Sequence, residues 1–418
     1  MVRMNRLQAP KPGTTPSRVM QLTKGLNVKA LPQRCAGSHG AGRRHAVATA
    51  VLLSVTSLVL SACGGSDASS GGATAAGLSA DQLAAVQKIA DEHVGEPTAI
   101  TQTTALPGAV PAGKKIVFAN SGIPATQLIM DGVKEATEKI GWTFDQVNYE
   151  SANPSTIQSA LRTALTKGAD AVIISGTPPT TYGKAVLEEY KKAGVPIIVG
   201  STCPLEVTDP VVAGAAGCDS EKKAGTALGD WFVADSKGAG KVLFENVKAI
   251  PVLTTFVDAF KAEVAAKCPK CVVDVQEATL EQVAQNQIVP SLVNKLRSDP
   301  SYTYLFFDNA QWAKGIHPAL KAAGLNDVKI GGRSADQIAL GELANNTEVA
   351  WTATAYNVNG YANVDAAIRA VMGTTEGADG DVILPFQLLT PKNVAAVKAP
   401  YRYPTSALDS YLKLWNAS

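Results

Sequence analysis

The chain has 418 residues, with 38 Lys and Arg against 36 Asp and Glu, a formal net charge of +2, and 46% hydrophobic residues. The charge is unevenly placed: residues 1–62 hold nine basic side chains and no acidic one, so the other 356 residues carry 29 basic against 36 acidic, a net of −7. A mildly acidic chain of that length argues against a nucleic-acid footprint and has room for two cores rather than one.

The first 62 residues read as an export signal and leader. The pair Arg43-Arg44 is followed by an apolar run from Val47 to Leu60 and by small residues, the order of a secretory signal. The run is about 14 residues, shorter than the roughly 20 that span a bilayer as a helix, and no later stretch qualifies. Its ending, Leu60-Ser61-Ala62-Cys63, resembles a bacterial lipobox, which implies cleavage before Cys63, lipidation of its thiol and an extracytoplasmic chain held to the cell membrane. Residues 63–80 are rich in Gly, Ala and Ser, the composition of a flexible tether with a span of roughly 20–25 Å.

Residues 81–113 follow as a short helix and an extended segment. Leu83, Val86 and Ile89 predict a helix from Ala80 to His93, and three prolines between Pro97 and Pro111 forbid another. From Lys114 strands and helices alternate. The first strand is Ile116-Val117-Phe118-Ala119, followed by a helix from Pro124 to Ile140 with proline at its first turn. Strands Thr143–Asn148, Ala171–Ser175 and Ile197–Gly200 alternate with helices Pro154–Lys167 and Thr180–Ala193, and Gly141, Gly168 and Gly194 stand at helix C-termini. The rhythm repeats with strand Val211–Ala216, helix Ser220–Asp235, strand Val242–Glu245, helix Val252–Lys267, strand Val272–Gln276, helix Glu281–Ser298 and strand Tyr304–Phe307. Helix Gln311–Ala323, strand Val328–Gly331, helix Asp336–Leu343, strand Val349–Thr354 and helix Tyr361–Met372 complete it. Short apolar strands between amphipathic helices predict an α/β fold of two Rossmann-like lobes, each with a parallel sheet covered on both faces.

The phrases Asp131-Gly132, Leu161 to Asp170, Lys192-Ala193-Gly194-Val195-Pro196-Ile197-Ile198, Gly217-Cys218-Asp219, Lys223-Ala224-Gly225 and Gly240-Lys241-Val242 occur in an order that resembles the type I periplasmic binding proteins, specifically the ribose/galactose-type receptors of ABC importers. The resemblance covers Lys114 to about Val397. It implies a three-segment hinge, with residues 114–219 plus about 356–375 in lobe 1, 220–355 plus about 376–398 in lobe 2, and 399–418 as a C-terminal tail.

Open α/β sheets bind ligands beyond the carboxyl ends of their strands. Candidate ligand-binding residues are therefore Ser121, Ile123, Thr126, Ser201, Thr202 and Asp219 in the first half, and Thr254, Asn309, Trp312, Arg333 and Tyr356 in the second. Asp219 has the alternative of capping the helix that starts at Ser220. Sugar receptors of this type carry aromatics after the first-strand proline, an Asp-Arg pair after the fourth strand and a second-lobe arginine. Here Ala125-Thr126, Ser201-Thr202 and Thr254 stand in those places, and Arg333 replaces an aspartate. Fewer charges and smaller side chains imply a bulkier or less hydroxylated ligand, and Arg333 is expected to pair with an anionic group on it.

Four cysteines follow Cys63. Cys268-Pro269-Lys270-Cys271 lies after a helix and before a strand, a poor place for a redox pair, and His93 and His317 alone cannot complete a zinc site. A local disulfide is expected there, leaving Cys203 to pair with Cys218. No Walker loop, G-x-S-x-G or paired-histidine motif is present, so neither catalysis, cofactor nor metal is expected. The expected function is capture of a small solute, a sugar or another metabolite, by a monomer that delivers it to ABC permease and ATPase subunits. The alternative is a sensor that presents a bound ligand to a membrane kinase.

Overall fold

The computed structural model describes residues 78–374 and 382–417, so the expected leader, the expected lipidation at Cys63 and the expected tether up to residue 77 lie outside the described residues. The chain begins with α1 (Ala80–Asp91), capped at Ser79 by a reciprocal hydrogen-bond pair with Gln82. In β1 (Lys115–Asn120), Ile116 and Phe118 enter one hydrophobic cluster while Val117 and Ala119 enter another. Neighbouring strand residues point to opposite faces, so a run that is apolar throughout needs cover on both.

That cover comes from α2 (Pro124–Lys139), α3 (Pro154–Thr166) and α4 (Lys184–Ala193), which alternate with β2 (Thr143–Asn148), β3 (Ala171–Ser175) and β4 (Ile197–Gly200) before β5 (Val211–Ala213). The five strands are parallel in the order β2-β1-β3-β4-β5. The chain then enters α5 (Cys218–Asp235), β6 (Lys241–Val247), α6 (Pro251–Lys267), β7 (Val272–Ala278), α7 (Leu280–Ala284), α8 (Ile288–Ser298) and β8 (Tyr304–Phe307). It continues through α9 (Ile316–Ala323), β9 (Lys329–Gly332), α10 (Gln337–Ala344) and β10 (Ala350–Thr354). These strands repeat the first order one lobe later, and a short β11 (Phe386–Leu389) pairs antiparallel with β10 to close the sheet β11-β10-β9-β8-β6-β7. Phe232, Phe244, Phe256, Phe260 and Phe306 pack edge to face under it.

Between β10 and β11 the chain returns to lobe 1 as α11 (Tyr356–Met372), which crosses α2 at close range. A Cβ on Gly132 would sit 2.5 Å from the Asn357 carbonyl oxygen, and one on Gly360 would sit 2.5 Å from that of Ile129. Reciprocal glycines are what let the two backbones meet, which gives the Asp131-Gly132 phrase a packing reason. Gly141, Gly168 and Gly194 hold the left-handed conformation at helix ends.

Local breaks explain where the elements depart from the sequence pattern. The helix expected over 281–298 is α7 and α8, separated by Asn286 at φ 54°. The one expected over 311–323 is a 3₁₀ turn, Ala310–Ala313, and α9, separated by Gly315 at φ 87°. Likewise Gly183 at φ 80° divides a 3₁₀ turn, Pro179–Thr181, from α4. A left-handed residue cannot continue a right-handed helix. The strand expected over 211–216 ends at Ala213, and the helices expected from Ser220 and Tyr361 begin at Cys218 and Tyr356.

The segment expected as a tail folds back as α12 (Ala407–Leu414). Tyr411 and Trp415 are buried against the lobe 1 core, and the Leu106 N–H bonds to the Leu414 carbonyl at 2.8 Å. The extended segment after α1 is thereby clamped between α11 and α12. No helix of the described residues is long and apolar enough to cross a membrane.

Candidate functional site

Eight of the predicted residues, Ser121, Ile123, Thr126, Ser201, Asn309, Trp312, Arg333 and Tyr356, line one cleft of about 250 Å³ between the carboxyl ends of the two sheets. Several are placed by hydrogen bonds. Thr126, in the first turn of α2, bonds through Oγ1 to Ser121 Oγ (3.0 Å), Asn120 Oδ1 (3.1 Å) and the Ile123 carbonyl (2.7 Å), closing the loop after β1. Ser201 has φ 50°, and its Oγ accepts from Asn359 Nδ2 at 3.1 Å. Asn359 Oδ1 accepts from Asn363, whose own Oδ1 accepts the Ala215 N–H at 2.9 Å. One polar ladder on α11 thus fixes both the loop after β4 and the first connection between lobes. Asn309, two residues past β8, accepts the Gln311 N–H at 3.2 Å, starting the turn that carries Trp312.

Three predicted residues do not line the cleft. Thr202 turns inward, its Oγ1 donating to the Gly200 carbonyl at 3.3 Å. Thr254 faces β6 and exchanges hydrogen bonds with Asn246 at 3.2 and 3.3 Å. Asp219 is exposed in the first turn of α5 and pairs with Lys222 at 3.1 Å; the helix has no side-chain cap, because it starts at Cys218 rather than Ser220.

The largest correction concerns Arg333. It is 8% exposed, and its guanidinium makes a bidentate pair with Glu221 in the first turn of α5, Nε to Oε2 at 2.5 Å and Nη2 to Oε1 at 2.6 Å. The anion expected from a ligand is supplied by the protein itself. Gly331 and Gly332 permit this placement: a Cβ at Gly332, φ 145°, would lie 2.0 Å from the Phe307 carbonyl oxygen, and one at Gly331 would lie 2.2 Å from that of Ala350.

Sequence reasoning missed Ser151, Ser175 and Thr177 in lobe 1, and Ala249, Ile250 and Leu280 in lobe 2, all lining the cleft. Ser175 ends β3 and the others follow β2, β3, β6 and β7, so the strand-end rule applied to every strand would have found them. Cys203 is bonded to Cys218, tying the loop after β4 to the start of α5, and Cys268 is bonded to Cys271 between α6 and β7. Among the described residues, no group of three or more His, Cys, Asp or Glu is arranged to hold a metal ion.

The periplasmic binding protein domain family matches residues 114–375. The chain belongs to that family. Its members bind solutes rather than catalyse reactions. Solved structures share the fold: an ABC transporter solute-binding protein from Mycobacterium smegmatis with bound glycerol superposes with a TM-score of 0.60 at 18% identity, over 71% of this chain and 99% of that one. The glucose-galactose binding protein GanP from Geobacillus stearothermophilus gives 0.57 at 16%, over 68% and 100%. An ABC sugar transporter subunit from Rhodobacter sphaeroides gives 0.57 at 22%, over 68% and 99%. No curated protein matches the chain by sequence.

Beneath Asn309 this binding protein buries two carboxyls. Glu245 of β6 and Asp308, which follows β8, are 1% and 0% exposed, and Asp308 Oδ2 accepts the Val247 N–H at 2.5 Å. Burial and then the Asp308 charge hold Glu245 well above its ordinary 4.5; burial also lifts Asp308 to about 7, against the pull of the Val247 N–H and Arg333. A carboxyl whose pKa is raised by folding binds its proton more tightly in the folded state, so its stabilising contribution is present below about pH 4 and lost as pH rises through about 7. Asp308→Asn is therefore expected to gain stability relative to the parent between pH 5 and pH 8. Urea unfolding at both values tests this; an unchanged gap between the two proteins would count against it.

Proposed function

We propose that this chain is a lipid-anchored, extracytoplasmic solute-binding protein of the ribose/galactose type that captures a small sugar-like or related metabolite between its lobes and delivers it to an ABC permease. The observation that carries the reading is a cleft lined by strand-end loops of both sheets, where a ligand contacting both lobes favours the closed form through its better contacts there. Similar structures hold bound sugars or polyols, among them D-arabinose and myo-inositol, and the Leu60-Ser61-Ala62-Cys63 ending supports the anchor. Titration of the full chain with a broad metabolite set, followed by intrinsic tryptophan fluorescence, is expected to give saturable quenching or enhancement through Trp312 in the cleft. Asn309→Ala is expected to weaken the response by about 1–3 kcal/mol. Silence across the set would refute solute capture, and membrane retention of a Cys63→Ala chain would refute the anchor.

A further inference from the structure

The cleft is chemically divided. Its lobe 1 side mixes hydroxyl-bearing Ser121, Ser151, Thr177 and Ser201, from four successive strand-end loops, with the apolar Ile123 and Ile129. On the lobe 2 side, the loops after β8 and β9 contribute Asn309, Gln311 and Arg333. The loops after β6 and β7 and the start of α6 contribute only hydrocarbon: Ala249, Ile250, Val252, Leu253 and Leu280. Among the described residues, Arg333 is the one permanently charged side chain of the lining, and Glu221 neutralises it through two hydrogen bonds. A charged ligand group would therefore be desolvated without a counter-charge. A fully hydroxylated ligand would set some of its hydroxyls against a wall with no side-chain donor or acceptor, at the cost of losing water there.

Resting on the proposal that this cleft is the solute site, we infer that its ligand is uncharged and amphipathic: a hydroxyl-bearing glycosyl head carrying an apolar substituent. The head meets the serine and threonine wall and Asn309, and the substituent lies on Ile250, Val252, Leu253 and Leu280. This departs from a free-sugar receptor, where hydroxyls on every face of the ring demand polar partners all round. Trp312, at the boundary between the two regions of lobe 2, offers an apolar ring face to either part of such a ligand.

Isothermal titration calorimetry of the full chain separates the possibilities, using glucose, galactose and arabinose, their phenyl and butyl glycosides, and their phosphate esters. The glycosides are expected to bind at least about tenfold more tightly than their parent sugars, because each buried methylene adds a hydrophobic increment, with a more negative heat-capacity change. Leu253→Ser is expected to weaken the glycosides at least about tenfold more than it weakens the parent sugars, and equal losses for both would count against the assignment. Parent sugars binding as tightly as glycosides, or phosphate esters binding most tightly, would overturn the amphipathic assignment and leave solute capture intact. Failure of every glycoside to bind, while some other solute saturates the tryptophan signal, would overturn it too. Failure of all solutes would remove the underlying reading with it.

Discussion

Asp365→Ala is expected to lower the unfolding free energy by about 3–5 kcal/mol, the loss typical of stripping one partner from a buried ion pair. Asp365 and Arg369 lie one turn apart on α11, with Arg369 fully buried and the Asp365 side chain 3% exposed. Their pair is bidentate, Nε to Oδ2 at 2.9 Å and Nη2 to Oδ1 at 3.1 Å. Around it, Arg369 Nη2 donates to the Thr104 carbonyl at 2.5 Å, Trp415 Nε1 donates to Asp365 Oδ1 at 2.7 Å, and Gln102 donates to Asp365 Oδ2 at 3.2 Å. One carboxylate thus joins the extended segment, α11 and α12. Removing it strips a bidentate carboxylate from a guanidinium in the core, and it frees both terminal segments from the helix that returns the chain to lobe 1. Chemical denaturation with Trp415 emission as one readout measures the effect. Because a buried pair gains little over well-packed apolar side chains, the double variant Asp365→Leu with Arg369→Met is expected to recover much of the loss. A loss below about 1 kcal/mol in the single variant would mean that water reaches the site and that this pair does not hold the three segments.

Glu221→Gln is expected to cost about 3 kcal/mol and to change what the cleft accepts. The amide keeps the shape but removes the charge that balances Arg333, at a site where both groups are nearly buried. Since Arg333 also borders the cleft, a small anion entering from solvent can replace the lost carboxylate. The variant is therefore expected to be stabilised by sulfate or phosphate at millimolar concentration, whereas the parent is not. Thermal unfolding with and without phosphate reads both effects. Equal responses of parent and variant would show that the guanidinium is balanced from elsewhere. The result bears on the amphipathic-ligand inference, because a cleft that is neutral by construction selects against charged solutes before any contact is optimised.

The alternation of strands and helices was legible because its signals are local. Apolar runs such as Ala171–Ser175, proline in the first turn of a helix and glycine at its end act within a few residues. The last helix was legible by the same rule and was overlooked: Leu408, Tyr411, Leu412 and Trp415 recur at helical spacing. The breaks at Asn286 and Gly315 were harder, since the apolar periodicity continues through both and only a backbone conformation interrupts it.

Strand ends also located much of the cleft. Ser121, Thr126, Ser201, Asn309, Trp312 and Tyr356 came from the single argument that carboxyl ends of parallel strands face ligands. Thr202 and Thr254 failed under it because strand-end position does not say which way a side chain turns. Thr202 is drawn back to its own chain by the Gly200 carbonyl, and Thr254 is drawn to β6 by Asn246.

By itself, then, the amino-acid sequence determined two α/β halves, a mildly acidic chain after residue 62 and a set of strand-end loops able to face a solute. Only the tertiary structure decided the charge of the cleft, since Arg333 meets Glu221 across 112 residues of chain. It alone brought the hydroxyls of lobe 1 opposite the hydrocarbon of Ile250, Leu253 and Leu280, and it alone placed Asp365, Arg369, Thr104 and Trp415 in one knot. The physical reason is range. Periodicity and capping are read from neighbours along the chain, whereas counter-charge and desolvation depend on what the fold brings close, and no local pattern encodes the partner.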